Sequence, residues 1–262
     1  MSAPPNAGRV GIEDVVIRFK GKHEETVALD RTTLTLEPGT FTALIGPSGC
    51  GKSTLMNAIA GFVAPSEGRL TLDGAAITGP SNDVGVIFQQ YALFPWFTAL
   101  GNVRFGLKQL RLSRSDEIAR ARAALDEVGL TEHADKYPQQ LSGGMKQRVA
   151  IARTFVVGPK VLLMDEPFGA LDAQTRLSMH SLLLDVWQKH GATVLFVTHD
   201  VDEALLLADD VRVMSQAPGR MIRHFALTQS RPRAFNRSGT ALLDIREEIL
   251  GLLRPKEDLT FP

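Results

Sequence analysis

The feature that most constrains the fold of this 262-residue chain is the segment GPSGCGKST, residues 46–54. It satisfies the pattern G-x-x-x-x-G-K-[ST]. A short run of strand-forming residues, 41–46, leads into it, and residues 52–60 predict a helix that stops at Gly61. In that setting glycines let backbone N–H groups converge on phosphate oxygens at a helix N-terminus. The segment therefore predicts a phosphate-binding loop within an α/β sheet.

The side chains of this loop predict the binding of a nucleoside triphosphate together with Mg²⁺. Lys52 supplies a positive charge for the β- and γ-phosphates, and the Ser53 hydroxyl suits a Mg²⁺ ligand. Cys50 is the only cysteine and has no histidine nearby in the sequence. It is therefore expected to pack behind the loop rather than to act as a redox or catalytic thiol. The predicted ATP-binding residues of the loop are Gly46, Pro47, Ser48, Gly49, Cys50, Gly51, Lys52, Ser53 and Thr54.

Two adjacent carboxylates end the apolar run VLLMDE, residues 161–166. Because neighbouring strand residues point to opposite faces, Asp165 and Glu166 are expected to have different roles. Asp165, at the strand end, is predicted to bind Mg²⁺, and Glu166 to polarise the water that attacks the γ-phosphate. The alternative is a pair of solvated charges after a strand. It is disfavoured because Pro167 fixes the turn at once and because the upstream phosphate loop needs an acidic partner.

His199 occupies the matching place after the next apolar strand, TVLFVTHD, residues 193–200. Ligands of doubly wound sheets gather beyond the carboxyl ends of the strands, so His199 is predicted to reach the γ-phosphate and the attacking water. An ordinary surface histidine is the alternative, and two strand ends aimed alike favour the catalytic role. The other histidines have no such placement and are expected to be surface or packing residues: His23, His133, His180, His190 and His224.

The rest of the chain predicts an α/β fold of the P-loop NTPase class. Its sheet is expected to be mixed and largely parallel, with an N-terminal antiparallel β region and an inserted helical subdomain near residues 95–157. GRLTLDG, residues 68–74, is predicted to be an edge strand, and residues 83–88 a buried strand. Further strands are predicted at 15–19 and 32–36, and helices at 115–128, from Ser142 onward, at 173–190 and at 240–253.

A second glycine pair lies in LSGGMKQR, residues 141–148, where Ser142 precedes Gly143 and Gly144. A serine N-cap explains Ser142 locally, and the helix N-terminus that it opens also suits a phosphate. With this segment in place the chain resembles the ATP-binding subunits of ABC transporters over about residues 9–230, because six motifs follow in that family's order. They are the phosphate loop 46–54, Gln89, LSGGMKQR, the acidic strand end 161–166, GALD at 169–172, and His199.

The resemblance implies an ATPase in which two chains pack head to tail with two ATP molecules between them. The nucleotide of one chain would then be contacted by Asp172 of the other chain and by its signature triplet, Ser142, Gly143 and Gly144. Gln89 would contact Mg²⁺ or the attacking water from a loop that also moves against a membrane partner. ATP and Mg²⁺ are the cofactors that this family implies.

An aromatic side chain that stacks on adenine is also implied, and Phe19 is its expected position. Phenylalanine keeps the aromatic face of the family's usual tyrosine and loses the hydroxyl. A place in the hydrophobic core is the alternative for Phe19. The implied organisation is a disordered N-terminus at 1–8, an ABC ATPase domain at 9–230 and a C-terminal tail with one helix at 231–262.

Within the family the chain is most similar to importers of nitrate, taurine and alkanesulfonates. The cues are residues 91–107, 164–176 and 215–220. This resemblance implies ATP-driven uptake of a small solute. The implied partners are a second ATPase subunit, two integral-membrane permease subunits and, indirectly, a solute-binding protein. Phe94, Trp96 and Phe97 are predicted to form the surface that couples to the permease, and packing inside the helical subdomain is the alternative for one or two of them.

Charge and hydropathy limit the alternatives. Lys plus Arg and Asp plus Glu number 29 each, so no net charge favours nucleic acid as a partner. The sequence has no apolar run of about 18 residues, which predicts that the chain does not span a membrane. It is expected at the cytoplasmic face of the inner membrane, held there by the permease. The alternative function is that of a soluble ABC-type ATPase of cluster assembly.

Overall fold

The structure is a computed structural model that describes residues 7–21, 25–233, 235 and 240–254. The described residues form two β-sheets and seven α-helices. The strands are β1 Val10–Lys20, β2 Glu25–Leu36, β3 Phe41–Ile45, β4 Glu67–Leu72, β5 Ala75–Ala76, β6 Val84–Ile87, β7 Val161–Asp165, β8 Thr193–Val197, β9 Asp210–Met214 and β10 Met221–Ala226. The helices are α1 Lys52–Ile59, α2 Ala99–Leu107, α3 Arg114–Glu127, α4 Gly143–Phe155, α5 Ala173–His190, α6 Val201–Leu207 and α7 Thr240–Leu253.

The N-terminal β region is a four-stranded antiparallel sheet in the order β2-β1-β4-β5. β1 pairs with β2 from Val10 opposite Leu36 to Lys20 opposite Glu25, so β2 is longer than the predicted strand at 32–36. β4 pairs with β1 on one side, and the two-residue β5 covers its last two residues on the other side. The edge-strand prediction for residues 68–74 is therefore wrong where β5 lies against β4.

The second sheet has six strands in the order β10-β9-β3-β8-β7-β6, and all neighbours are parallel except β10 and β9. β3 and β8 are buried at every residue, which explains their nearly continuous apolar sequences. β6 was predicted to be buried, and this is wrong for most of its length. It is the last strand of the sheet, and only Ile87 is fully buried.

The six-stranded sheet separates two apolar cores, and alternate residues of a strand belong to different cores. In β7, Leu162 and Met164 join the core shared with α2 to α6, whereas Leu163 joins the core shared with α1 and the antiparallel sheet. This arrangement confirms the predicted α/β fold with a largely parallel sheet and an N-terminal antiparallel region.

Helices α2, α3 and α4 pack against one another within the predicted helical insertion. Asn102 of α2 is fully buried and explains how the aromatic segment before α2 is held in place. Its Oδ1 accepts from the N–H of Phe94 at 2.8 Å, and its Nδ2 donates to the carbonyls of Phe94, Phe97 and Thr98 at 3.2, 3.1 and 3.0 Å. Loss of this side chain would remove a hydrogen bond from each of these backbone groups, although the Phe94 and Thr98 carbonyls also accept from the N–H groups of Phe97 and Asn102.

The first and last segments that the structure describes pack on the central α/β core. Gly8 N–H donates to the Lys160 carbonyl at 3.2 Å, whereas residues 1–6 of the segment predicted to be disordered lie outside the described residues. Helix α7 contacts α6, and its Leu242 and Ile249 are fully buried. None of the helices described has the length and apolarity to cross a membrane.

Candidate active site

The phosphate loop connects the carboxyl end of β3 to the first turn of α1. Gly49 and Gly51 adopt φ of 76° and 100°, in the left-handed region where a side chain is strained. A Cβ on Gly51 would lie 2.7 Å from the Ala28 carbonyl oxygen, so the loop approaches β2 too closely for any other residue. Of the side chains that the structure describes, none caps the N-terminus of α1, which leaves its first N–H groups available for an anion.

Lys52 is held inside this loop by backbone oxygens. Its Nζ donates to the carbonyls of Gly46 and Pro47 at 2.8 and 2.9 Å, and the residue is only 8% exposed. Cys50 is fully buried under the loop, as the packing interpretation expects. The loop borders a cavity of about 270 Å³, lined by Ala28, Ser48, Gly49, Gly51, Lys52, Ser53, Thr54 and Glu166. A cavity with exposed N–H groups and an ammonium at its wall fits a polyphosphate.

Asp165, the last residue of β7, lies against the start of α1. Burial raises its pKa above the ordinary value, and the neighbouring Glu166 carboxylate adds to that rise. A hydrogen bond from the Ser53 hydroxyl and the charge of Lys52 act in the opposite direction. The carboxylate and the hydroxyl are thus side by side.

These two oxygen donors fit Mg²⁺ in one particular way. Among the described residues there is no group of three or more His, Cys, Asp or Glu side chains that could hold a metal ion alone. Mg²⁺ typically takes one or two protein ligands and completes its shell with waters and substrate phosphates. The pair Ser53 and Asp165, beside the phosphate cavity, matches that mode of binding.

Glu166 is the centre of the predicted catalytic residues. Its Oε1 lies 3.2 Å from His199 Nδ1, and its Oε2 accepts from Gln89 Nε2 at 3.2 Å. Glu166 has a φ of 44°, rare for a residue with a side chain, and its N–H donates to the Val197 carbonyl at 2.9 Å. The chain therefore turns sharply after β7. The structure brings Gln89, Glu166 and His199 together at the carboxyl ends of the parallel strands.

The signature segment and Asp172 form a second cluster, at the N-termini of α4 and α5. Ser142 Oγ accepts from Met145 N–H at 3.3 Å, and Asp172 Oδ1 accepts from Thr175 N–H at 2.9 Å. That backbone hydrogen bond lowers the pKa of Asp172. A Cβ on Gly144 would lie 2.7 Å from Thr175 Cγ2, so the two helix ends are in contact.

This second cluster has its own cavity. It measures about 290 Å³ and is lined by Gly129, Leu130, His133, Ser142, Gly144, Met145, Arg148, Thr175 and Ser178. Its lining shares no residue with that of the phosphate-loop cavity. Within one chain the phosphate-loop cavity and the signature cavity therefore have different linings.

Phe19 is not a core residue. It is 46% exposed and pairs with Thr26 across β1 and β2, two residues before the cavity-lining Ala28. The core alternative for Phe19 is wrong, whereas stacking on adenine stays a prediction. His23 lies outside the described residues.

Sequence reasoning missed a buried polar network behind this site. Glu203 is 5% exposed, and its carboxylate contacts Thr198, which precedes His199, as well as His180 of α5. Arg176 of α5 also reaches this network, with its Nε 3.7 Å from Glu203 Oε1. Two features of the sequence could have indicated this network. One is the glutamate inside the apolar helix VDEALLL, and the other is the arginine four residues after Asp172.

Comparison with known proteins agrees with this geometry. The family described as ABC transporter matches residues 29–169. A taurine import ATP-binding protein of Rhizobium johnstonii is 45% identical over 257 residues, covering 95% of this chain and 97% of that protein. A nitrate import ATP-binding protein of Synechocystis sp. is 48% identical over 216 residues, covering 82% of this chain and 81% of that protein.

One solved structure has the same fold as this chain. It is the dimeric, post-hydrolysis state of an ATP-binding cassette bound to ADP and phosphate. The two folds superpose with a TM-score of 0.73 at 33% sequence identity, over 84% of this chain and 100% of the other.

Proposed function

The chain belongs to the ABC transporter family, and from that premise we propose that it is the ATP-hydrolysing subunit of an importer for a small solute. The observation that carries the hydrolytic part is the position of the Glu166 carboxylate. Each of its oxygens has a partner 3.2 Å away, Gln89 on one side and His199 on the other, and Glu166 also lines the phosphate-loop cavity.

In this proposal the phosphate loop binds the triphosphate through the N–H groups at the start of α1 and through Lys52. Ser53, Asp165 and Gln89 would hold Mg²⁺, which as a Lewis acid would stabilise charge on the phosphate oxygens. Lys52 already donates to two carbonyls at 2.8 and 2.9 Å, so its side chain is ordered before the nucleotide binds. Binding therefore costs little side-chain conformational entropy at this residue.

Glu166 acts as the general base and takes a proton from the water that attacks the γ-phosphate. Gln89 and His199 fix the orientation of the carboxylate from its two sides and help to position that water. Because general bases must lie within hydrogen-bonding reach of the proton that they remove, the turn after β7 is decisive. It directs Glu166 toward the phosphate-loop cavity, whose lining includes this residue.

We propose further that two chains form a head-to-tail dimer in which Ser142, Gly143, Gly144 and Asp172 contact the nucleotide of the partner. The linings of the two cavities within one chain support this arrangement. The phosphate-loop cavity and the signature cavity have no lining residue in common, so the signature is free to contact a nucleotide bound to another chain. Two helix N-termini in contact would add favourable partial charge for the γ-phosphate of the partner's ATP.

An exposed aromatic surface supports a membrane partner. Phe94 contacts the rings of Trp96, Phe97 and Phe105 at centroid distances of 5.6, 5.6 and 4.4 Å, and Trp96 is 66% exposed. A cavity of about 480 Å³ adjoins this cluster and includes Phe94, Phe105 and Arg153 in its lining. Exposed apolar surface next to a groove is typical of a protein interface.

We assign this surface to two integral-membrane permease subunits, which would hold the ATPase at the cytoplasmic face of the membrane. Together with the import relatives, it favours uptake over the cluster-assembly alternative. The taurine and nitrate relatives suggest a small solute of that kind, a sulfonate, taurine or nitrate, delivered by a solute-binding protein.

The proposed organisation of the chain follows the family. Residues 9–230 would form the ATPase domain, with 95–157 as its helical subdomain, and residues 231–262 would form the tail. Phe19 would stack on adenine.

Co-purification from detergent-solubilised membranes tests the importer assignment. The tagged protein should bring down a multi-span membrane protein, and Trp96→Ser should abolish this capture. Leu177→Ser is the matched control, because Leu177 of α5 is 63% exposed and lies outside the aromatic cluster. Equal capture by wild type and Trp96→Ser, or no captured membrane protein at all, would contradict the assignment.

A further inference from the structure

A buried polar network connects α5 to the segment that carries His199. Glu203 Oε2 accepts from the Thr198 hydroxyl at 2.8 Å, and its Oε1 lies 3.3 Å from His180 Nε2. Asp200 Oδ1 accepts from the N–H groups of Asp202 and Glu203 at 2.9 and 3.2 Å. The residues on both sides of His199 are therefore fixed by side-chain hydrogen bonds, in addition to the bond from the Thr198 N–H to the Leu44 carbonyl of β3 at 3.2 Å.

Arg176 joins this network to a different loop. One nitrogen, Nη2, donates to the Leu171 carbonyl at 3.1 Å, and the other, Nη1, donates to Asp200 Oδ2 at 3.4 Å. Its Nε lies 3.7 Å from Glu203 Oε1. Leu171 directly precedes Asp172, so a single guanidinium spans the segment that ends at Asp172 and the segment that surrounds His199.

We propose that Arg176 is a positioning residue that locks residues 169–172 to residues 198–203. This inference rests on the proposed function, in which Asp172 faces the nucleotide of the partner chain and His199 faces the chain's own nucleotide. The guanidinium then makes the geometry of each ATP site depend on the other, because neither loop can shift without breaking a contact of Arg176.

The planar guanidinium is suited to this task. Arginine presents several N–H donors in a fixed fork and keeps its charge, whereas lysine offers one compact charge at the end of a flexible chain. Lysine at this position could contact the Leu171 carbonyl or the Asp200 carboxylate, and it would hold one loop at a time. The bridge should therefore be sensitive even to Arg176→Lys.

Steady-state ATP hydrolysis by the purified protein tests the bridge. Arg176→Gln should lower kcat about tenfold with KM changed less than about twofold, because misplaced catalytic groups slow turnover without weakening phosphate binding. Binding of a fluorescent ATP analogue should stay near one per chain, and Arg176→Lys should recover only part of kcat. Arg104→Gln is the control, because the Arg104 side chain is 32% exposed, similar to 31% for Arg176, and pairs with Glu117 away from the site.

Hydrogen exchange measured by mass spectrometry gives a readout that does not depend on activity. In Arg176→Gln, exchange should rise both in peptides covering residues 169–175 and in those covering 198–204, and in Arg104→Gln in neither. A kcat loss matched by an equal loss of ATP-binding chains would overturn the proposal, as would faster exchange on one side only or wild-type kcat in Arg176→Gln. If the wild-type protein itself hydrolysed no ATP, the proposed function would fail, and the exchange result would still decide the bridge.

Discussion

Gly219 provides a sharp test of how the phosphate loop is supported. It lies in the turn between β9 and β10, where its N–H donates to the Ala28 carbonyl at 3.1 Å and its carbonyl accepts from Asp30 N–H at 3.0 Å. A Cβ at this position would lie only 1.9 Å from the Cys50 carbonyl oxygen. The phosphate loop therefore rests directly on this turn.

The expected effect of Gly219→Ala follows from that distance. Real Cβ contacts essentially never fall below 3.0 Å, so the turn and the loop must separate by about 1 Å. The end of the Met214 side chain, 2.6 Å away, can move aside, but the Cys50 carbonyl is part of the backbone and cannot. Overpacking of this kind costs about 1–3 kcal/mol of stability, and a shift of about 1 Å in a binding loop can change rate constants about a hundredfold.

Two measurements on the purified protein check this prediction. Gly219→Ala should lower Tm by about 2–4 °C for each kcal/mol lost, and it should weaken ATP binding by about tenfold for each 1.4 kcal/mol lost at the loop. Gly79→Ala is the control, because a Cβ there would have no atom of the described residues within 4 Å. Wild-type Tm and ATP affinity in Gly219→Ala would refute the view that the turn supports the loop.

Three further predictions concern the site itself. Gln89→Ala should depress transport and the stimulation of ATP hydrolysis by the permease more than ATP affinity, and a loss of affinity alone would contradict the coupling role. A mixed dimer of one Lys52→Ala chain and one Ser142→Arg chain should trap about one nucleotide with a γ-phosphate mimic, because both lesions fall in the same site and the other site is intact. If the signature served the nucleotide of its own chain, the mixed dimer would trap no more nucleotide than the two mutant homodimers do. Asp165→Asn should raise the free energy of unfolding at pH 7 while abolishing hydrolysis, because burial raises the pKa of Asp165 and its ionised form opposes folding above that pKa. The gain should vanish as the pH falls below the pKa of the unfolded aspartate, and unchanged stability at pH 7 would contradict the burial argument.

The phosphate loop and the strand ends were predictable because their determinants are local. The glycines of residues 46–54, the apolar strands and the polar residues that end them lie within a few positions of one another. Parallel strands place their carboxyl ends at one edge of the sheet, so the sequence alone predicts that Glu166 and His199 lie close together. Their contact at 3.2 Å agrees with that expectation, and their catalytic roles remain predictions.

Features that depend on distant parts of the chain could not be predicted in this way. β2 begins at Glu25 rather than at residue 32, because pairing with β1 extends it through Arg31, a positive-φ residue that interrupts the local alternation. β6 has a buried-strand sequence but takes the last place in its sheet, and strand order is not written in a strand's own residues. The contact of Gly219 with the phosphate loop joins positions far apart in the sequence.

Glu166→Gln is a direct test of Glu166 as the general base, because the substitution keeps the size of the side chain and removes its capacity to accept a proton. This variant should bind MgATP, hydrolyse it about two or more orders of magnitude more slowly than the wild type, and run as a dimer when ATP is present. Single-turnover hydrolysis and ATP-dependent gel filtration measure both effects on the same sample. Wild-type turnover in Glu166→Gln would remove Glu166 from the mechanism.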